Sequence, residues 1–229
     1  MKKRTKLCDR TLPDYTRGEE IFNTVTHIVG SAMSVAILTL CVAFAFLTGD
    51  PFKITGAFIY GFSSIILYTM SSVYHGITKN IVAKKVMQIL DHCTIFILIA
   101  GTYTPIVLSP IREVSPVLGW TMFGIVWGAA VIGIILNAID LKMFSTVSMI
   151  LYIAIGWFAV LTAKTLIDAV TLNGFILILS GGIAYTVGAV LYGLGARGGH
   201  RYMHSVFHIF VVIGTFLQFL AIFCYIILK

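Results

Sequence analysis

The sequence predicts an all-α membrane protein in which seven helices cross the bilayer, and three observations predict this fold class. Of the 229 residues, 59% are hydrophobic and 11% are charged, and the mean hydropathy is +0.98, whereas soluble proteins carry about 25% charged residues. The apolar residues form seven stretches, each long enough to supply the ~20 residues with which a helix crosses ~30 Å of hydrocarbon. These stretches are continuously apolar, whereas the strands of a membrane β-barrel alternate between polar and apolar residues.

The seven predicted helices follow one another with short connections. Six of them contain no Asp, Glu, Lys or Arg and cover residues 21–49, 54–78, 114–139, 143–163, 169–196 and 202–228. The other one, the third along the chain, covers residues 86–111 and is interrupted only by Asp91. The mixed charges before residue 21 do not resemble a signal peptide. We therefore expect a cytoplasmic tail over residues 1–20 and a seven-helix bundle over residues 21–229.

The basic residues predict how the bundle is oriented. Twelve of the 16 Lys and Arg residues lie in the tail or in connections on the same side of the bundle: Lys2, Lys3, Arg4, Lys6, Arg10, Arg17, Lys79, Lys84, Lys85, Lys142, Arg197 and Arg201. The other side carries Lys53, Arg112, Lys164 and Lys229. Since Lys and Arg are enriched in cytoplasmic connections, we expect a plasma-membrane protein with its N-terminus inside and its C-terminus outside. The net charge of +7 is then explained without a nucleic-acid partner.

Polar and ionisable residues collect at the cytoplasmic ends of four predicted helices. They are Glu19, Glu20, Asn23 and His27 on the first helix, Ser71 and His75 on the second, Asp91 on the third, and His204 and His208 on the seventh. Ionisable groups inside a bilayer are costly, so those that are present are candidates for function. The predicted topology puts all of them on one side of the membrane and at a similar depth.

The spacing of these residues favours a metal site. His204 and His208 are four residues apart, as are Ser71 and His75, and residues four apart share one face of a helix. Two imidazoles on one helix and a third from another match a catalytic zinc site, in which three protein ligands leave the fourth position to water. Asp91 is placed to orient that water or accept its proton, and Ser71 to donate a hydrogen bond close by.

Less specific interpretations of the same residues stay open. The histidine pair can bond to lipid headgroups or neighbouring carbonyls at the interface. Asp91 can pair with Lys84 or Lys85, and the Ser71 hydroxyl can donate to a backbone carbonyl one turn earlier.

Two further patterns predict contacts between helices. Glu20, Asn23 and His27 form a polar stripe on the first helix, which favours hydrogen bonding across helices over a direct chemical role. Gly124 and Gly128 form a GxxxG pattern, which is typical of close helix packing in membranes.

Four short motifs, in this order along the chain, resemble those of the bacterial hemolysin III proteins. They are Glu19-Glu20 with Asn23 and Thr26-His27, then Ser71-Ser72-Val73-Tyr74-His75, then Asp91-His92 running to Gly101-Thr102-Tyr103-Thr104-Pro105, and His204-xxx-His208. That family is related to the progestin and adiponectin-receptor family, and its Ser/His/Asp/HxxxH set is similar to that of the alkaline ceramidases. The resemblance implies a zinc ion held by His75, His204 and His208, with Asp91 on the bound water and Ser71 supporting.

These observations favour a zinc-dependent hydrolase that acts on a lipid amide or ester in the cytoplasmic leaflet, with membrane lipids as its partners. Two alternatives remain: a cytolytic or pore-forming protein, as the family's name suggests, and a lipid-responsive regulator in which zinc is structural. A retinal protein is set aside because the last helix carries no lysine before Lys229. A G-protein-coupled receptor is set aside because its N-terminus normally lies outside, opposite to the charge bias here.

Overall fold

The computed structural model describes residues 4–78 and 81–229, apart from the side chains of residues 196–198. Seven α-helices dominate this part of the chain: α1 Arg17–Thr48, α2 Pro51–Gly76, α3 Ile81–Ile106, α4 Pro116–Asp140, α5 Ser145–Gly156, α6 Ala163–Gly198 and α7 Met203–Ile222. Shorter helical pieces connect or extend them: Leu7–Asp9, Val107–Ile111, Arg112–Val114, Phe158–Thr162 and Phe223–Ile227. The described residues contain no strand, and the all-α prediction is confirmed.

Six segments of the described chain are long and apolar enough to cross a membrane. They are Arg17–Thr48, Pro51–Gly76, Ile81–Val114, Pro116–Asp140, Ser145–Gly195 and Met203–Ile227. The first four and the last correspond to predicted helices. The segment Ser145–Gly195 is 51 residues long and contains the two stretches that the sequence predicts as separate crossings.

This long segment folds back on itself. The indole nitrogen of Trp157 donates a hydrogen bond to Thr186 Oγ1 at 3.0 Å, although the two residues are 29 positions apart. In a straight α-helix they would be separated by about 43 Å. Thr171, halfway between them, interrupts α6 with φ 68° and ψ 166°. The chain therefore reverses direction inside the segment, which returns Thr186 to the level of Trp157.

The ends of α1 and α2 follow from their local sequence. Thr16 and Glu19 form a reciprocal capping box at the start of α1, in which each side chain satisfies a backbone N–H that the first turn leaves free. Gly49, with φ 67°, ends α1, since glycine adopts the left-handed conformation at no steric cost. Asp50 then caps α2, which begins with Pro51. This tight connection fixes α1 and α2 as antiparallel neighbours.

Glycines allow the first two helices to approach closely. A methyl group on Gly30 would lie 2.5 Å from the Tyr68 ring, and one on Gly61 would lie 2.6 Å from the Leu38 backbone, so α1 and α2 meet where side chains are missing. The GxxxG prediction on α4 is wrong within this chain. Space is open around both Gly124 and Gly128 among the described residues, because α4 turns other residues toward its neighbours.

The basic residues that the structure describes are divided between the two ends of the bundle. At one end, residues 4–16, which we call the N-terminal strap, lie across the helix ends. The strap is tied down by Thr5 N–H on Asp140 Oδ2 (2.7 Å), Lys85 Nζ on the Cys8 carbonyl (2.6 Å) and Arg201 Nη1 on the Asp14 carbonyl (2.6 Å). At the other end, the Arg112 guanidinium lies 3.6 Å from the centre of the Phe52 ring, and Lys229 Nζ donates to the Ala169 carbonyl at 2.9 Å. Lys2, Lys3 and Lys79 lie outside the described residues.

Candidate metal centre

Three histidines converge beneath the N-terminal strap. His75 comes from the last turn of α2, and His204 and His208 from the first two turns of α7. The Nε2 atom of His204 lies 3.2 Å from Nε2 of His75 and 3.1 Å from Nε2 of His208. The three ligand atoms lie within 4.8 Å of one another, and the side chains of His75 and His208 are buried. This cluster could hold a metal ion.

Glu19 fixes the start of α7 against α1. One carboxylate oxygen of Glu19 accepts the backbone N–H of Tyr202 at 2.8 Å, and the other accepts a 3.5 Å contact from Arg201. Tyr202 has φ 63° and directly precedes α7. These contacts with Glu19 fix the start of α7 against α1. Residues 204 and 208, which are one turn apart, lie on the face of α7 that meets α1 and α2.

Glu20 orients His75, and Asn23 lies beside the same ring. The Nδ1 atom of His75 lies 2.5 Å from Glu20 Oε2 and 3.5 Å from Asn23 Nδ2. An Nδ1–H bonded to a carboxylate leaves Nε2 as the free lone pair, which is the tautomer that a metal requires. Asn23 is held in turn by the Ser205 hydroxyl, which donates to its Oδ1 at 2.6 Å. The hydrogen bonding across helices expected for the polar stripe is therefore present for Glu20 and Asn23.

Tyr15 of the strap covers the cluster from the helix ends. Its ring stacks on His204 with 5.1 Å between ring centres and 15° between planes, and it lies 5.7 Å from the His75 ring. Burial raises the pKa of the Tyr15 phenol above its ordinary value, so the phenol stays protonated. The sequence alone does not point to Tyr15, since this residue precedes the first helix and no periodicity places it.

A cavity of about 160 Å³ extends from the cluster between α3, α5, α6 and α7. Both histidines of α7 line it, together with Asp91 and Ser71. Its other lining residues are mostly apolar or aromatic, such as Leu98 and Tyr103. The cavity thus brings an apolar space directly to two of the three imidazoles, those of His204 and His208.

Ser71 and Asp91 do not make the contacts that the less specific interpretations expect, namely a Ser71 bond to its own helix and an Asp91 pair with Lys84 or Lys85. The buried Ser71 hydroxyl has no hydrogen-bond partner among the described residues, so it does not bond back to its own helix. Lys84 pairs with Glu20 at 2.5 Å and Lys85 with a backbone carbonyl of the strap, so both lysines are engaged away from Asp91. The roles of Asp91 as a base and of Ser71 as its support stay predictions.

Comparison with known proteins gives consistent matches over nearly the whole chain. The family model described as "Haemolysin-III related" matches residues 15–219. The chain is 36% identical over 208 residues to "Hemolysin-3" of Bacillus cereus, covering 91% of this chain and 92% of that protein. It is 35% identical over 211 residues to "Hemolysin-3 homolog" of Bacillus subtilis (strain 168), covering 92% of this chain and 96% of that protein.

Proposed function

The chain belongs to the haemolysin-III-related family, and from this membership and the histidine cluster we propose that it is a zinc-dependent hydrolase of membrane lipids. Its substrate would be a lipid amide or ester in the cytoplasmic leaflet. The observation that carries the proposal is the convergence of three histidines, two of which line an apolar cavity. A purely structural histidine cluster has no need of such a cavity beside it.

The donor set fits zinc. Four ligands placed tetrahedrally at about 2.0–2.1 Å from zinc lie about 3.3 Å apart, and two of the Nε2 pairs here are separated by 3.1 and 3.2 Å. Three imidazoles satisfy three of the four positions and leave one for water. The carboxylate of Glu20 behind His75 is the kind of partner that fixes a metal-binding imidazole.

Different residues of the chain would then have different roles in hydrolysis. A zinc ion held by His75, His204 and His208 would supply a water whose pKa is lowered toward ~7 and would polarise the scissile carbonyl. Asp91, buried at the wall of the same cavity, accepts the proton of the attacking water and returns it to the leaving group. The Ser71 hydroxyl, without another partner, is free to support the site with a hydrogen bond close to the bound water. The apolar remainder of the cavity holds an acyl chain and excludes water.

We propose further that the chain crosses the plasma membrane seven times, with the N-terminus in the cytoplasm. The reversal at Thr171 supports two crossings within Ser145–Gly195. The strap end of the bundle carries most of the described basic residues, which supports a cytoplasmic position for that end. The cluster lies at this end, so the proposed reaction takes place in the inner leaflet.

Metal analysis tests the proposal. We expect the purified protein to contain close to one zinc ion per chain, and the double variant His75→Ala, His204→Ala to contain none. His200→Ala is the matched control, since His200 is exposed and outside the cluster; its zinc content should equal that of the wild type. Release of fatty acid from a panel of acyl amides and esters should follow the zinc content. Zinc that is absent from the wild type, or retained in the double variant, would remove the basis of the proposal.

A second candidate function is cytolysis, and the names of the relatives from Bacillus cereus and Bacillus subtilis favour it. Leakage of dye from liposomes that contain the purified protein would measure it. Leakage that persists in the double histidine variant would support a cytolytic role that is independent of the metal. Leakage absent from the wild type, together with zinc-dependent release of fatty acid, would support the hydrolase.

A further inference from the structure

His27 on α1 lines the cavity, and the proposed metal chemistry leaves it without a role. Its side chain is 3% exposed and lines the cavity beside His208. The two imidazoles stack face to face, with 3.6 Å between ring centres and 9° between planes. His27 is not part of the group of ligand atoms formed by the three converging histidines.

The ring of His27 is held firmly from its other side. Tyr68 meets it edge to face with 5.0 Å between ring centres, and the Tyr68 hydroxyl donates to Thr215 Oγ1 at 2.7 Å. Gly30, one turn after His27, leaves the space in which the Tyr68 ring lies. Three helices therefore fix the orientation of His27, which is typical of a residue that contacts a ligand.

Both ring nitrogens of His27 are buried and have no hydrogen-bond partner among the described residues. Buried polar atoms in proteins are almost always paired. Packing alone does not account for the histidine, because a phenylalanine would fill the same stack and bury no polar atom. His27 lines the cavity in which the proposed ligand lies, and we infer that the ligand pairs with its unpaired nitrogens.

The chemistry of a neutral imidazole limits what this ligand is. One nitrogen donates a hydrogen bond and the other accepts one. An ester or a carboxylate offers acceptors only, whereas a secondary amide or a hydroxyl offers both a donor and an acceptor. We propose that His27 binds the polar group of the lipid and selects ligands with a hydrogen-bond donor beside the carbonyl, amides over esters. This proposal rests on the lipid ligand of the proposed function, and it does not depend on turnover.

A matched pair of lipids tests the proposal: N-methylpalmitamide and methyl palmitate differ in one N–H that replaces an oxygen. Their dissociation constants are measured on the purified, zinc-loaded protein at 4 °C, before turnover. We expect the wild type to prefer the amide by about tenfold, the value of one hydrogen bond. His27→Phe, which keeps the stack, should reduce this ratio to about one. His27→Gln, which keeps a donor and an acceptor, should retain a preference for the amide.

His92→Phe is the control, because His92 also lines the cavity but its Nδ1 already donates to the Gln88 carbonyl at 2.9 Å. It should keep the wild-type ratio. Equal binding of both lipids to the wild type, or an unchanged ratio in His27→Phe, would overturn the role of His27 while the lipid hydrolase stands. Loss of zinc from His27→Phe would also overturn it, by assigning His27 to the metal site. Binding of neither lipid to the wild type would refute the lipid ligand itself.

Discussion

Glu20 is the residue through which the first helix acts on the histidine cluster. One carboxylate oxygen bonds His75 Nδ1 and the other bonds Lys84, so the charge of Glu20 is shared between an imidazole and an ammonium group. Its neighbour Glu19 turns to the start of α7. Two adjacent acids therefore serve two different helices, one by orienting a candidate ligand and the other by fixing a helix end.

This division predicts different effects for two matched substitutions. Glu20→Gln should lower the zinc affinity about 10- to 100-fold, because a neutral amide supports the metal-binding imidazole less well than a carboxylate does. Glu19→Gln should leave the zinc affinity unchanged and lower the stability by about 1 kcal/mol through its weakened cap. Competition with a chelator of known affinity measures the first quantity and thermal unfolding the second. Equal zinc affinity in both variants would refute the role given to Glu20.

The sequence predicts the residues of the cluster better than the contacts behind them. The spacing of His204 and His208 determines that they share a face, since a helix has a fixed period, and the topology brings His75 to the same end. The bond between Glu20 and His75 depends on how α1 is rotated about its axis, which tertiary packing decides. Tyr15 stacks on His204 from outside any predicted helix, so no periodic pattern points to it.

At the scale of single elements, the reversal inside Ser145–Gly195 differs most from its prediction. The sequence predicts a connection between residues 163 and 169, around the charged Lys164 and Asp168. The structure keeps both in helix and breaks α6 later, at Thr171. Charged side chains near the end of a crossing can extend toward the water while their backbone stays helical, so charge alone does not mark where a helix ends.

The backbone of Thr171 predicts a stabilising substitution. With φ 68° and ψ 166°, it lies in a region that is nearly exclusive to glycine and costs other residues about 1–3 kcal/mol. Thr171→Gly should raise the midpoint of thermal unfolding in detergent by about 2–4 °C. Thr171→Ala is the control and should gain much less, because alanine keeps the Cβ atom that causes the strain. A midpoint that falls in Thr171→Gly would contradict this account of the reversal.

For the whole molecule, the division of basic residues between the two ends decides the expected topology. At the strap end, Arg4 and Arg10 of the strap contact the end of a helix, and Lys85 and Arg201 contact the strap. The other end carries Arg112 and Lys229. The described chain thus separates its cations as the sequence predicts. Which end faces the cytoplasm is a matter of insertion, and an experiment in cells addresses it.

Fusions to alkaline phosphatase, which is active only after export, distinguish seven crossings from six. We expect a fusion after Lys142 to be inactive and fusions after Thr171 and Lys229 to be active. If Ser145–Gly195 crossed only once, the C-terminus would lie on the same side as the N-terminus and the fusion after Lys229 would be inactive. The three fusion proteins should be expressed at equal levels, verified by immunoblotting, so that a lack of phosphatase activity does not reflect a lack of protein.

The three converging imidazoles are far apart in the order of synthesis. His75 enters the membrane with the second helix, whereas His204 and His208 lie within the last 26 residues, on the helix that is inserted last. A nascent chain that stalls before residue 203 contains only one of the three cluster histidines, His75, and lacks the rest of the proposed site. An ion bound at the proposed site would therefore require α7 to be in place, so the ion content of the protein would report the insertion of that helix.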